Sequence, residues 1–322
     1  MNLHNNRNDF QDLISITADF FKIPEVYIEK DYWVTYILKN LTNSDFKESV
    51  VFKGGTSLSK VYKIIDRFSE DIDLQIINFK GGDNQRRTLF KSIEKTITEG
   101  ITHLKDDPRN RKRGNIRKTV YAYELQNENS EFYQASKEII LELNTMSTPK
   151  PYQLMEINSY IAEFLETTNP EIITEYELEP FEINVLNKTR TFVEKIFAVL
   201  DFTFMEEPIL SLSNGIRHIY DIKKLYDDAD ISKFFNSDEF YYLCDKVVVE
   251  NDFFGNRKDR VYSETLLSDI RILDKVEKTY NNDFSKLVFG DLPDFAEIKK
   301  TLSTVIAKTL EWEQNHKKHI IP

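Results

Sequence analysis

Apolar side chains recur at helical spacing along the first 43 residues of the chain. Residues 10–43 predict two helices, which Pro24 and Glu25 separate. Proline suits the first turn of a helix, and a carboxylate there faces the positive end of the helix dipole. The apolar stripe of the second predicted helix contains Tyr27, Val34, Ile37, Leu38 and Leu41.

The pattern then changes to short alternating runs. Residues 49–52 predict a strand that leads into the glycine turn Lys53-Gly54-Gly55-Thr56-Ser57, and residues 71–77 alternate as a second strand should. Two further alternating runs, 120–125 and 138–144, predict neighbouring antiparallel strands. Between these strands the pattern predicts two helices and a basic loop, at residues 58–65, 84–104 and 106–118.

Beyond Pro149 the β pattern almost vanishes and helical spacing dominates. Gly and Pro number only nine each, which favours long helices because tight turns consume these residue types. We therefore expect an α+β protein, with an α/β domain at residues 1–150 and a helical domain at residues 151–322. The predicted helices of the second half lie at residues 153–166, 188–204, 214–228, 231–250, 258–280 and 294–318.

Charge and cysteine content exclude several classes of protein. The formal net charge of −11 argues against coating nucleic acid by bulk attraction, so any such contact needs a local basic patch. The single cysteine, Cys244, excludes a disulfide framework, and the five histidines lack metal-ligand spacing. No apolar run reaches the length of a signal peptide core or a membrane span. We expect a cytoplasmic protein without membrane contact.

The glycine turn is a candidate phosphate site. Paired glycines at Gly54 and Gly55 let the backbone turn sharply and approach a ligand closely. Hydroxyls and free amides at the start of the following helix suit a phosphate. Taken alone the turn also fits a purely geometric role, and the chain has no P-loop motif of the Walker type.

Asp71 and Asp73 make the phosphate interpretation stronger. They lie two apart on a predicted strand, so both carboxylates project from one face while Ile72 and Leu74 point to the core. Two close carboxylates are costly without a cation between them, and carboxylate oxygen is what Mg²⁺ prefers. An isolated pair of this kind is most often a solvated strand face. Here a glycine turn precedes it by sixteen residues, which predicts a phosphate cradle and a metal site at the same end of a small sheet.

Two weaker features accompany this pair. Glu142, in an apolar strand, could complete a three-carboxylate, two-metal arrangement, and a plain edge-strand glutamate is nearly as good an interpretation. The basic loop holds six cations within residues 109–118. It could be solvated, or it could contact phosphates of a nucleotide or an RNA. The candidate RNA contacts are Arg111, Lys112, Arg113 and Lys118.

These motifs, in order, resemble a known family. Residues 52–60 (FKGGTSLSK) and 67–74 (RFSEDIDL) closely resemble the signature of the AbiEii/AbiGii-type nucleotidyltransferases. That family includes toxins of type IV toxin–antitoxin and abortive-infection systems and the related mycobacterial MenT toxins, within the DNA polymerase β-like nucleotidyltransferase superfamily. Weaker resemblances to family motifs lie at residues 29–33, 194–198 and 217–222, so the similarity covers about residues 20–225.

The resemblance implies a mixed-sheet nucleotidyltransferase core with N-terminal helices, and an all-helical C-terminal domain that contributes to the active-site cleft. It implies Mg²⁺-dependent transfer of a nucleoside monophosphate from an NTP to an acceptor, with tRNA 3′ ends as the acceptor for some members. Two Mg²⁺ ions, a toxic outcome and a cognate antitoxin are further expectations. The implied nucleotide-binding residues are Gly54, Gly55, Thr56, Ser57 and Lys60.

The resemblance also implies catalytic roles for four residues. Asp71 and Asp73 would hold metal, Lys195 would meet the phosphate or the substrate nucleotide, and Asp221 would orient or activate groups. Many relatives carry an acid directly after the arginine of the last motif, where this chain has His218. For that reason we favour Asp221 over its neighbours.

Two other functions remain open on sequence grounds. A metal-dependent glycosyltransferase could use the DxD pair to hold a nucleotide sugar, although such folds place a long nucleotide-binding α/β half before the pair. A catalytically inactive module that only binds nucleotides or RNA is the second alternative. The intact Asp71/Asp73 pair, together with Lys195, argues against it.

Overall fold

A computed structural model of the chain describes residues 1–69, 71–124, 138–250 and 257–315. Glu70, Leu125 and residues 316–318, which fall within predicted segments, lie outside these ranges. No helix within the described ranges is long and apolar enough to cross a membrane. The chain forms two compact units. The first contains Met1–Val61, Phe68–Thr145 and Tyr152–Val185, and the second contains Tyr62–Arg67, Met146–Pro151 and Leu186–Pro322.

The first unit begins with the two predicted helices. Helix α1 spans Arg7–Phe21 and helix α2 spans Glu25–Thr42, which confirms the sequence prediction. The Asn6 side chain accepts the Asp9 amide and caps α1, because the first amides of a helix have no partner within it. Pro24 stands directly before α2. Both helices bury the apolar stripes that predicted them.

Within the described residues, a mixed sheet of eight strands follows these helices. Its strands are β1 (Val50–Lys53), β2 (Asp71–Ile76), β3 (Thr102–His103), β4 (Arg111–Arg113), β5 (Ile116–Ala122), β6 (Glu138–Asn144), β7 (Tyr152–Ile157) and β8 (Phe181–Leu186). The strand order is β3-β5-β6-β2-β1-β8-β7, and β4 pairs with β5. β2 runs parallel to β6 and antiparallel to β1, while β5 and β6 are the predicted antiparallel neighbours. The chain is therefore a mixed α+β protein.

The described residues of the first unit form four more helices: α3 (Gly54–Lys60), α4 (Asp83–Ile97), α5 (Tyr160–Thr168) and α6 (Pro170–Glu175). Helix α4 lies against one face of the sheet, because its Glu94 binds Arg117 at 2.5 Å and Thr119 at 2.7 Å, both on β5. Phe90, Ile93 and Ile97 of α4 are buried. On β2, Ile72 and Leu74 are buried, as the alternation predicts.

Two parts of the first unit differ from the sequence prediction. The predicted helix at residues 153–166 begins instead with β7, and α5 starts only at Tyr160. β8 adds a second strand, which pairs parallel to β1 through Phe52 and Val185. The first unit therefore extends to Val185, beyond the predicted boundary near residue 150. Strand β4 and the start of β5 also occupy part of the predicted basic loop.

The second unit is mainly helical over its described residues. Its helices are α7 (Lys188–Phe202), α8 (Pro208–Asn214), α9 (Ile216–Tyr226), α10 (Ala229–Phe235), α11 (Asp238–Glu250) and α12 (Phe295–Asn315). The predicted helix at residues 258–280 is instead a series of short 3₁₀ turns followed by a π turn. Thr265 and Asp269 accept the amides of Leu267 and Arg271, and such local caps restart a turn rather than continue a helix.

Candidate active site

The glycine turn joins β1 to α3 in a conformation that only glycine tolerates well. Gly54 has φ +81°, and a Cβ there would lie 2.0 Å from the Asp73 carboxylate oxygen Oδ2. The absence of a side chain at Gly54 is therefore what lets the Asp73 carboxylate lie against the turn. The Thr56 hydroxyl contacts the Ser69 hydroxyl at 3.0 Å and donates to the Asp71 carbonyl, which fastens the turn to the start of β2.

Two other residues of the turn region are engaged within the protein. The buried Ser57 hydroxyl donates to the Gly54 carbonyl at 2.9 Å. The Lys60 ammonium lies 2.5 Å from the Asp31 carboxylate, and the Lys60 side chain is 3% exposed. Asp31 also accepts the Tyr160 amide at 2.9 Å. This geometry gives Lys60 a structural partner that sequence reasoning missed, and its nucleotide-binding role stays a prediction.

Three carboxylates occupy one face of neighbouring strands. Asp71 and Asp73 lie on the same face of β2, and the parallel register places Glu142 of β6 directly beside Asp73. Burial, followed by the negative charges of Glu142 and Asp71, raises the pKa of Asp73 to about 7, and the positive charges of Lys53 and Lys118 offset part of this. The structure thus places Glu142 beside the predicted carboxylate pair Asp71/Asp73. The sequence did not determine whether Glu142 would lie there.

The chemistry of this donor set fits a divalent cation. Carboxylate oxygens are hard ligands, and a cation would relieve the like-charge crowding that raises the pKa of Asp73. Among the described residues, however, no three His, Cys, Asp or Glu side chains are grouped so as to hold a metal ion. Asp73 lies toward Gly54, and Asp71 Oδ2 lies 3.7 Å from the Lys118 ammonium. The Asp71/Asp73 pair fits a metal in chemistry, and Glu142 as a ligand stays a prediction.

The predicted basic loop is a β-hairpin whose cations differ in their surroundings. Arg117 binds Glu94, and Arg109 binds Asp107 at 2.7 Å and Glu138 at 3.1 Å. Lys118 lies near Asp71. Arg111 and Lys112 are exposed on β4. The backbone of Arg113 belongs to β4, and its side chain lies outside the described part of the structure.

The remaining two predicted catalytic residues meet inside the second unit. Lys195 on α7 places its ammonium 2.6 Å from the Asp221 carboxylate on α9, and Arg67 binds the same carboxylate through two nitrogens. Burial raises the pKa of Asp221, but the charges of Arg67 and Lys195 outweigh burial and hold the pKa well below its ordinary value. Burial lowers the pKa of Lys195, and Asp221 opposes that effect.

Two neighbours of this cluster were not assigned from the sequence. Arg67 stands in the segment that resembles the family signature, but its partner Asp221 is 154 residues away, so no local spacing could pair them. His218, where many relatives carry an acid, lies one turn before Asp221 on α9. Burial, followed by the charges of Lys195 and Arg217, lowers the pKa of His218 well below its ordinary value, which keeps the ring neutral at physiological pH.

Comparison with known proteins agrees with these motifs. No curated protein matches the chain. A family model described as "Nucleotidyl transferase AbiEii toxin, Type IV TA system" matches residues 36–303, which is most of the chain. The match includes the glycine turn, the Asp71/Asp73 pair and the Lys195–Asp221 cluster. The chain therefore belongs to the AbiEii family of nucleotidyl transferase toxins of type IV toxin–antitoxin systems.

Proposed function

We propose that this chain transfers a nucleoside monophosphate from an NTP to the 3′ end of a tRNA, and that this arrests growth. The observation that carries the proposal is the carboxylate pair Asp71/Asp73 on one face of β2, with the Asp73 carboxylate against the Gly54 turn of the same unit. In the reaction, the acceptor hydroxyl oxygen bonds to the α-phosphorus, the bond from that phosphorus to the bridging oxygen breaks, and pyrophosphate leaves. The hydroxyl proton passes to solvent or to a nearby base.

The residues of the first unit divide into two groups in this proposal. We assign Gly54, Gly55, Thr56, Ser57 and Lys60 to nucleotide binding, where backbone amides at the start of α3 would face the phosphates. Asp71 and Asp73, with Glu142 beside them, would hold Mg²⁺. When bound, two Mg²⁺ ions would neutralise the developing charge and align the attacking and leaving oxygens.

The residues of the second unit supply positive charge. We assign the Lys195 ammonium to a phosphate of the nucleotide, and we assign to Asp221 the positioning of that ammonium through their 2.6 Å contact. Arg67 holds Asp221 from the other side with two hydrogen bonds. A carboxylate fixed by two cations cannot rotate, so it presents Lys195 in a single orientation.

The hairpin and the family support proposals for two macromolecular partners. The hairpin that carries the candidate contacts Arg111, Lys112, Arg113 and Lys118 is where we propose that RNA phosphates approach, since an acidic protein attracts a polyanion only at a local basic patch. Type IV systems pair a toxin with an antitoxin. We therefore expect a cognate antitoxin that opposes this activity in the cell.

The test combines the purified chain with each NTP, Mg²⁺ and total tRNA. We expect pyrophosphate release and labelling of the tRNA 3′ end with one or more NTPs, and loss of both signals with a chelator or with Asp71→Ala. Labelling of another RNA in place of tRNA would change the acceptor but keep the reaction. An inactive binding module would bind NTP without releasing pyrophosphate, and that outcome would contradict the proposal.

A further inference from the structure

A row of charged side chains crosses five strands of the sheet in the first unit. In the strand register, Asp73 lies opposite Lys53 on one side and Glu142 on the other. Lys118 lies opposite Glu142, and Arg111 lies opposite Lys118. Residues opposite one another in a sheet point to the same face. The order across that face is therefore Lys53, Asp73, Glu142, Lys118 and Arg111.

The other face of the hairpin has a different environment. Arg117 and Thr119, which alternate with Lys118 on β5, bind Glu94 of α4, so α4 lies on that opposite face. Lys112 lies opposite Arg117 and therefore shares their face. The hairpin cations, which look equivalent in the sequence, thus separate into two sets. Of those whose side chains the structure describes, Arg111 and Lys118 share a face with the carboxylates.

Lys118 is held only loosely by the protein's own carboxylates, and Arg111 is exposed. The Lys118 ammonium lies 3.7 Å from Asp71 Oδ2, and both side chains keep some exposure, at 24% and 15%. An ion pair this long and partly solvated is weak, so it holds the lysine near the carboxylate without fixing it. Arg111, one strand further from the carboxylates, is exposed.

Among the described side chains of the row and Asp71 beside it, cations and carboxylates are equal in number. The three cations of the row, Lys53, Lys118 and Arg111, match the three carboxylates of Asp71, Asp73 and Glu142. A divalent cation at the carboxylates would leave an excess of positive charge, and it would compete with Lys118 for Asp71. The excess then lies on the β5 and β4 side of the carboxylates, where a polyanion that reaches beyond the metal would meet it.

We propose that Lys118 and Arg111 form a subsite for the terminal phosphates of the NTP. This inference rests on the proposed function and assigns these two residues to the nucleotide rather than to RNA. Arginine suits this position because its guanidinium can bind two phosphate oxygens at once, while lysine supplies a mobile point charge. The subsite accounts for a lysine one strand beyond Glu142 and an arginine two strands beyond it, both on the face of the carboxylates.

The test measures nucleotide binding by calorimetry with the full chain, Mg²⁺ and an NTP analogue that cannot be cleaved between the α- and β-phosphates. The matching NMP is titrated in parallel. We expect Lys118→Gln and Arg111→Gln each to weaken binding of the triphosphate about tenfold, and to leave binding of the monophosphate unchanged. Lys118→Arg should restore most of the affinity. Lys105→Gln, which removes an exposed lysine outside the strands of the same unit, is the matched control.

The possible results separate the subsite from the proposed function. If the wild-type chain binds no nucleotide, both ideas fail. If it binds the triphosphate and both Gln variants bind it equally well, the subsite alone is wrong. An equal loss for NMP and triphosphate would also overturn the subsite, because a monophosphate lacks the terminal phosphates. A loss of tRNA affinity with unchanged triphosphate affinity would assign these cations to RNA. Thermal unfolding of each variant shows whether it is folded.

Discussion

The guanidinium of Arg67 and the carboxylate of Asp221 form a two-point ion pair inside the second unit, with both N–O distances at 2.7 Å. Their side chains are 3% and 0% exposed. The Lys195 ammonium shares the same carboxylate at 2.6 Å. One buried anion therefore serves two buried cations, so its removal leaves two like charges facing each other without the carboxylate between them.

The first prediction concerns the stability that this pair provides. Asp221→Ala should lower the free energy of unfolding by about 3–5 kcal/mol, because it leaves uncompensated charge in a buried site. Chemical denaturation measures this loss. Asp227→Ala, which removes an exposed carboxylate bound to Lys223 near the end of the same helix, should cost less than about 1 kcal/mol. Equal losses in the two variants would contradict the importance assigned to burial.

The second prediction is the pH dependence of that contribution. Because Arg67 and Lys195 hold the pKa of Asp221 below its ordinary value of 3.8, the ionised carboxylate stabilises the folded chain fully above that value. The contribution is lost as pH falls toward the folded-state pKa. The stability difference between wild type and Asp221→Asn should therefore be largest near about pH 6 and should shrink below about pH 4. A difference that stays constant over this range would contradict the depressed pKa.

Short windows of sequence predicted the parts of the fold that are locally determined. The helices α1 and α2 follow from apolar spacing, and β1, the glycine turn and β2 follow from alternation around Gly54 and Gly55. The strands β7 and β8 were missed. β7 is an edge strand, where several exposed residues weaken the alternation, and β8 has its parallel partner, β1, more than 100 residues earlier in the chain.

In the candidate site, too, some features could be predicted from short stretches of sequence and others depend on distant residues. Residue type and spacing alone predicted the carboxylate pair Asp71/Asp73 and its shared face. Local patterns could not predict the partners of Lys60 and Asp221, because these contacts join residues 29 and 154 positions apart. The sequence also could not predict that the hairpin cations divide between two faces of the sheet, since this depends on the register of four strand pairs.

The third prediction tests the geometry of the glycine turn. Gly54→Ala should destabilise the chain by at least about 2 kcal/mol and abolish transfer, because a side chain at φ +81° is strained and its Cβ would overlap the Asp73 carboxylate. Gly82→Ala is the matched control, since a Cβ there meets nothing within 4 Å. It should cost less than about 1 kcal/mol. Thermal unfolding and pyrophosphate release measure both effects, and wild-type behaviour of Gly54→Ala would refute this account of the turn.

The fourth prediction separates the contribution of the carboxylates to activity from their effect on the stability of the folded chain. Asp73→Asn should abolish transfer and yet raise the free energy of unfolding without metal by about 1–2 kcal/mol, because it removes a charge disfavoured by burial and by Glu142 and Asp71. Asp71→Asn should also abolish transfer, with a smaller gain because Lys118 loses its partner. Asp45→Asn, an exposed carboxylate of the same unit, serves as the control. More than a few per cent of residual activity in either site variant would remove that residue from the metal site.

The last prediction concerns the face of the hairpin that points away from the carboxylates. Lys112 is exposed and lies opposite Arg117. Arg117 binds Glu94 of α4, so Lys112 extends from a pair of strands that α4 holds in place. If the acceptor RNA contacts this face, Lys112→Glu should weaken tRNA binding and reduce the slope of log affinity against log salt by about 0.7–0.9 for each lost phosphate contact. Filter binding or fluorescence anisotropy over a range of salt concentrations measures both quantities. Lys105→Glu makes the same change in charge at an exposed position outside the strands, so an equal effect there would reveal only the change in net charge. An unchanged slope in Lys112→Glu would show that RNA does not touch this lysine.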